Sequence, residues 1–224
     1  MPAHVIHVRI LADHDKLGYG LIDCIVGGQI LSAVADGNLT IIVGITIVAL
    51  VSWVVATFGM SVFHQYERWA WLPQVIVLFV LVGSASSEFD TVYPSKGSRE
   101  TINGNRLSFF SLCLSAPVAW APSAADYYVY YPESTAKWKT FIMTFTGFAL
   151  SFSFVYLLGA GLASATLSNP DYESAYSISS GALIVQGYSG LGGFDKFCGV
   201  VVALGVISNN CPNFYCKWST CIEK

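Results

Sequence analysis

Long apolar stretches separated by short polar ones dominate the chain. Thr40 to Met60 (TIIVGITIVALVSWVVATFGM) is the clearest. A helix that crosses a bilayer needs about 20 mostly apolar residues. The stretch is rich in β-branched residues, which in water favour a strand, but it is too long for one. Trp69 to Ala85 (WAWLPQVIVLFVLVGSA) predicts a second span, with Trp69 and Trp71 as interface aromatics. Leu107 to Tyr131 predicts a third and Thr140 to Ala165 a fourth, whose Gly159, Gly161 and Ser164 suit close helix contact. Phe197 to Tyr215 predicts a fifth. Leu17 to Ala35 (LGYGLIDCIVGGQILSAVA) carries Asp23, Gln29, Gly18, Gly20, Gly27, Gly28 and Ser32. Lipid does not suit such a helix, so the pattern predicts one buried in a bundle and lining a polar cavity. An amphipathic surface helix is the alternative, but Gly27-Gly28 makes it costly. The expected fold is all-α, a polytopic membrane helix bundle with spans at 17–35, 40–60, 69–85, 107–131, 140–165 and 197–215.

The connections predict their own structure. Asp36-Gly37-Asn38 reads as a tight turn and His64 to Arg68 as a short polar link. Glu88 to Arg106 reads as a longer polar loop, and Pro132 to Lys139 as a short basic one. Ser168 to Lys196 is rich in Ser, Gly and Tyr; it has room for an interfacial helix but is too polar to span.

Composition points the same way. Of 224 residues, 54% are hydrophobic and 11% charged, and mean hydropathy is +0.57. Soluble domains carry about 25% charged residues, so this chain cannot coat a globule with water-compatible surface. The net charge of −3 is small and dispersed, which argues against a nucleic-acid partner. Six spans put both ends on one side, with seven basic residues against four on the other, so the positive-inside rule places the termini in the cytoplasm. Asn38-Leu39-Thr40 would then be an outward sequon, too close to the bilayer for ready modification. Cys24, Cys113, Cys198 and Cys211 sit in apolar runs and read as small buried hydrophobes. Cys211, Cys216 and Cys221 recur every five residues, with no histidine near and no common zinc spacing. No metal or other cofactor is expected.

Four features carry candidate chemistry. In SAPVAWAPSAADYYVYYP, Pro117 and Pro122 flank Trp120 inside an apolar span. Such a break at membrane depth opens carbonyls and amides toward a substrate, and Trp120 offers a flat face for stacking on a heterocycle. A proline kink with a packing tryptophan is the alternative. Ser208-Asn209-Asn210-Cys211-Pro212 pairs two amides, donors and acceptors together, as the edge of a nucleobase requires; Pro212 frees a carbonyl one turn back. A helix stop with capping asparagines is the bland reading. Tyr19 and Asp23 lie one turn apart on one helical face, where a ring stacks and a carboxylate meets a cation or a donor edge. Glu67 beside Arg68 is either a solvated pair or a carboxylate tucked into the bundle. Enzyme chemistry finds no support: there is no Gly-x-Ser-x-Gly elbow, His-Glu-x-x-His or P-loop.

The segments NLTIIVGITIVALVSWVVATFGMSVFHQYERWAWLPQ, APVAWAPSAADYYVYYP and LGVISNNCPNFY resemble the fungal purine–cytosine permeases of the nucleobase–cation symporter-1 family. The likeness runs from about Gly18 to Tyr215. It implies a multi-pass plasma-membrane symporter of twelve spans, ten of them in two inverted five-helix repeats of the LeuT type. This chain matches spans three to eight, with nucleobase and proton as partners. It also implies that Trp120 stacks on the base, that Asn209, Asn210 and Pro212 form the amide motif at the substrate, and that Glu67 serves proton coupling or gating. Tyr19 stands where the family usually has tryptophan, and Asp23 where a purine-type member has asparagine. Residues 1–16 and the tail 216–224 depart from the pattern, so a truncated permease fragment is expected. The alternative is a non-transporting membrane protein or pseudogene product.

Overall fold

A backbone surrounded by hydrocarbon must satisfy its own hydrogen bonds, and a single segment does so only as a helix. The computed structural model describes residues 3–58, 60–92, 94–128 and 131–222. Side chains are described for residues 18–58, 65, 68–92, 94–118, 128 and 131–211. Among the described residues there are eight α-helices, α1 (Ala3–Val34), α2 (Ile41–Phe58), α3 (Met60–Ala85), α4 (Arg99–Tyr128), α5 (Lys137–Ala165), α6 (Pro170–Ile178), α7 (Ser180–Gln186) and α8 (Phe194–Ile222), and one short 3-10 turn at Ser86–Glu88. No strand occurs among the described residues. Ile41–Phe58, Arg68–Glu88 and Lys137–Ala165 are long and apolar enough to cross a membrane, and Gly18–Val34 is a shorter apolar helix.

Three local expectations are corrected. His64 to Arg68 is not a link: α3 begins at Met60 and runs through it. Gln, Glu and Arg are good helix formers and no glycine or proline intervenes, so the polar run extends the helix. Nor is Glu88 to Arg106 all loop, since α4 starts at Arg99. Ser98 Oγ accepts from the Thr101 amide at 3.2 Å and starts the helix there. The interruption at Pro117–Pro122 does not form either; α4 stays helical from Arg99 to Tyr128. Each proline forfeits one donor, which costs less than opening several backbone groups to lipid.

The chain divides into two compact units, residues 1–90 with 162–224, and residues 91–161. In the first, α1 packs on α2, α7 and α8, and α3 packs on α8. Helices α1 and α2 run antiparallel from a tight turn in which Asp36 (φ 53°) and Gly37 (φ 77°) are left-handed. Ser32 Oγ donates to the Leu39 carbonyl at 2.6 Å across this turn. One step further in, the two backbones touch: a Cβ on Gly44 would lie 2.5 Å from the Gly28 carbonyl oxygen, and one on Gly28 would strike the Ile45 backbone nitrogen. Helix α8 runs antiparallel to α1 and packs on both α1 and α2, with Gly199 against Val34 and Gly27 against Val206.

The Ser168–Lys196 connection is folded into this unit. Asn169 caps α6, accepting from the Asp171 amide at 2.9 Å, with Pro170 in the first turn. Ser179 caps α7, accepting from the Ala182 amide at 3.0 Å. Gln29 of α1, expected to line a polar cavity, accepts from the Gly181 amide at 3.1 Å and so serves the same helix start. Tyr188 is fully buried, and its hydroxyl donates to the Val77 carbonyl at 3.1 Å. Ser84 Oγ donates to the Gly187 carbonyl at 2.6 Å.

The second unit holds α4 and most of α5. A hydrogen bond joins Tyr128 to Thr144. Along α5, Phe152 stacks on Tyr156 and meets Phe148 in a tilted contact, both at centroid spacings of 5.8 Å, while Phe141, Phe145, Leu150 and Leu157 are exposed. Such a surface suits acyl chains.

Candidate functional site

Helices α1, α2 and α8 meet where their small residues permit it. The buried face of α2 is Gly44, Val48, Ser52 and Ala56, one residue per turn. Against Ser52 lie Cys24 of α1 and Asn210 of α8. Asn210 is fully buried; its Nδ2 donates to Cys24 Sγ at 3.1 Å and to Ser52 Oγ at 3.5 Å. Cys211 Sγ donates to the Ile207 carbonyl at 3.3 Å and to the Ser52 carbonyl at 3.8 Å. The Asn210 amide oxygen has no hydrogen-bond partner among the described residues. Three apolar helices are thus pinned together by one amide, one hydroxyl and two thiols.

One residue earlier on α1 and on α8 stands a second pair. Asn209 Nδ2 donates to Asp23 Oδ2 at 2.9 Å. Asp23 is half-buried and Asn209 exposed, so this rung faces outward from the crossing while the Cys24–Asn210 rung faces in. Successive helix residues point about 100° apart, which separates the two duties. Among the described residues Asp23 has no cationic partner. An acid inside an apolar helix without a counter-charge is expensive, which makes Asp23 a candidate functional position. Tyr19 is half-buried one turn before it.

The site residues anticipated from sequence are therefore distributed as follows. Asp23 and Asn209 come together, with Tyr19 on the same helix. Asn210 adjoins them but turns inward. The backbone at Glu67 lies in α3, at Pro212 in α8 and at Trp120 in α4, all helical; the side chains of these three lie outside the described residues. Trp120 belongs to the second unit. Ser52 and Cys24 were missed. Ser52 sits in the most apolar stretch of the chain, and its signal is the four-residue spacing of small side chains, Gly44, Ser52 and Ala56 around Val48, that marks a contact face.

The family described as permease for cytosine/purines, uracil, thiamine, allantoin matches residues 16–223. The match thus runs through the tail that the sequence pattern set apart. The vitamin B6 transporter TPN1 of Saccharomyces cerevisiae is 36% identical over 204 residues, which cover 89% of this chain and 35% of that protein. The purine-cytosine permease fcyB of Emericella nidulans is 36% identical over 203 residues, 89% of this chain and 39% of that one. The purine-cytosine permease FCY2 of S. cerevisiae is 33% identical over 205 residues, 89% and 38% respectively. The chain spans between 35% and 39% of the length of these relatives. No solved structure matches. An all-helical chain with apolar spans, matched along nearly its whole length, belongs to the membrane permease family for cytosine/purines, uracil, thiamine and allantoin.

Proposed function

We propose that this chain forms part of a carrier that moves planar nitrogen heterocycles, cytosine and purines, across the plasma membrane together with protons. The observation that carries the proposal is the Asp23–Asn209 hydrogen bond between two apolar helices, in which the Asp23 carboxylate has no cationic partner among the described residues. Polar groups in such a place are retained for what they bind. Carboxylate and amide together suit the edge of a heterocycle, and Tyr19 offers a ring one turn away. Trp120 is the stacking aromatic in this reading and Glu67 the proton-coupling or gating carboxylate. Asn210 and Pro212 complete the amide motif, Asn210 by holding α8 to α1 and α2 and so setting where Asn209 stands. Rocking of helices about the site would alternate access. The relatives are named for purine and cytosine and, in one case, for vitamin B6; all of these are flat nitrogen rings.

Uptake decides it. In cells lacking their own nucleobase carriers, a full-length relative carrying this segment takes up radiolabelled cytosine or adenine saturably. Base–aromatic stacking is worth about 1–3 kcal/mol, so Trp120→Ala lowers that uptake about tenfold or more at unchanged expression. Uptake untouched by the substitution would remove Trp120 from the site, and no uptake of any base would remove the proposal.

A further inference from the structure

We infer that the first turns of α5 form a docking surface for an anionic phospholipid of the cytoplasmic leaflet. Its headgroup sits on Lys137 and Lys139, and an acyl chain lies along Trp138, Phe141 and Phe145. The inference is independent of what the carrier moves. Both lysines are exposed, and the first turn of α5 holds no acid. Glu133 is the nearest acid in the sequence and is exposed as well. Among the described residues it pairs with neither lysine, and neither lysine has another ion pair. The positive-inside rule, which sets both termini in the cytoplasm, sets these two lysines there too.

Past the lysines the exposed face of the helix turns apolar. Trp138, Phe141 and Phe145 are 67%, 68% and 64% exposed, and they follow one another at helical spacings of three and four. Phe141 and Phe145 stack with centroids 6.1 Å apart and planes 16° apart, so their rings continue one strip. Trp138 and Phe145 lie two turns apart, about 10 Å along the helix. That length stays within one leaflet, whose share of the hydrocarbon core is about 15 Å.

Charge and depth together select the occupant. Two unanswered cations at the membrane surface attract an anion, and the cytoplasmic leaflet carries anionic lipid. The tryptophan marks headgroup depth. A soluble acidic protein meets the lysines but cannot follow the strip into hydrocarbon. A neutral lipid covers the strip and leaves the lysines unanswered. An anionic phospholipid does both with one molecule.

The test introduces a benzophenone side chain at Phe145 of the whole chain. The protein is reconstituted in vesicles of roughly one part phosphatidylserine to four of phosphatidylcholine. On illumination, the crosslinked ratio of the two lipids exceeds the supplied ratio by about thirtyfold in favour of phosphatidylserine. Lys137→Gln and Lys139→Gln each lower that excess about fivefold, and the double variant abolishes it. Arginine at both positions keeps it. Raising salt shrinks it, because surface charges are screened. A crosslinked ratio equal to the supplied one, with both lysines in place, overturns the inference. So does an excess that the double glutamine variant or high salt leaves intact. Crosslinking to a second copy of the chain in place of lipid also overturns it and gives the strip to a protein interface. Should the double variant not accumulate, the ratio and its salt dependence with both lysines in place decide. Uptake does not enter the readout, so failure here leaves the proposed function untouched.

Discussion

Asn209 and Asn210 are the same residue type, side by side, and they do different work. Asn209 is exposed and bonded to an acid; Asn210 is buried and bonded to a thiol and a hydroxyl. The sequence marked both as polar groups in an apolar helix, which is a property of composition. It could not divide their roles, because that depends on which side of α8 meets α1 and α2. The division has a measurable consequence. Asn210→Ala removes a buried amide and leaves a cavity at the three-helix crossing, which destabilises by on the order of 2–3 kcal/mol. Melting of the detergent-solubilised chain falls, and Cys24, now buried beside Asn210, is alkylated faster by a maleimide. Asn209→Ala removes the donor to the Asp23 carboxylate on the outward side and leaves Cys24 reactivity as in the unsubstituted chain.

At the scale of the element, the small residues of α1 separate into two kinds. Gly28 lets α1 and α2 touch backbone to backbone, whereas a Cβ on Gly18 would meet nothing within 4 Å. Gly28→Ala therefore forces the helices apart and costs about 1–3 kcal/mol. Gly18→Ala gains helix propensity, about 0.5–1 kcal/mol, and is neutral or stabilising. Thermal unfolding of the two variants should move in opposite directions; equal shifts would show that the crossing does not depend on Gly28. The sequence identified α1 as a helix for close packing, yet it could not say which glycine faced which partner. Helix ends were legible to about the same degree. The apolar cores of α2, α3 and α5 were plain, but hydropathy stops where polarity begins, while a helix continues until a cap or breaker stops it. That is why α3 and α4 begin earlier than hydropathy alone suggests.

At the scale of the whole molecule, each unit holds together on its own terms. The first is tied at one end by residues remote in sequence: Asn169 Nδ2 donates to Glu88 Oε2 at 2.8 Å, and Lys196 Nζ to Asp36 Oδ2 at 2.5 Å. Tyr172 of α6, outside the spans, is buried there. Burial, and secondarily the charge of Glu88, raises its phenol above the usual 10.0. A raised folded-state value means that the unfolded chain loses the proton first. The stabilisation is therefore complete below pH 10 and declines as pH climbs through the folded value. Unfolding temperature should drop between about pH 9 and 11, and Tyr172→Phe should flatten that part of the profile; an identical slope in the variant would assign the loss to other groups.

The sequence by itself determined that this is a helical membrane protein of the permease family, because hydropathy, span length and motif order are written locally along the chain. It also placed an acid, a tyrosine and two amides on apolar helices. Only the tertiary structure decided that Asp23 meets Asn209 while Asn210 meets Cys24 and Ser52, and that Gln29 caps α7. Those pairings join positions more than 150 residues apart, and they follow from how close two helices approach and at what rotation. Backbone contact at Gly28 and Gly44 sets that geometry, and no local pattern encodes it.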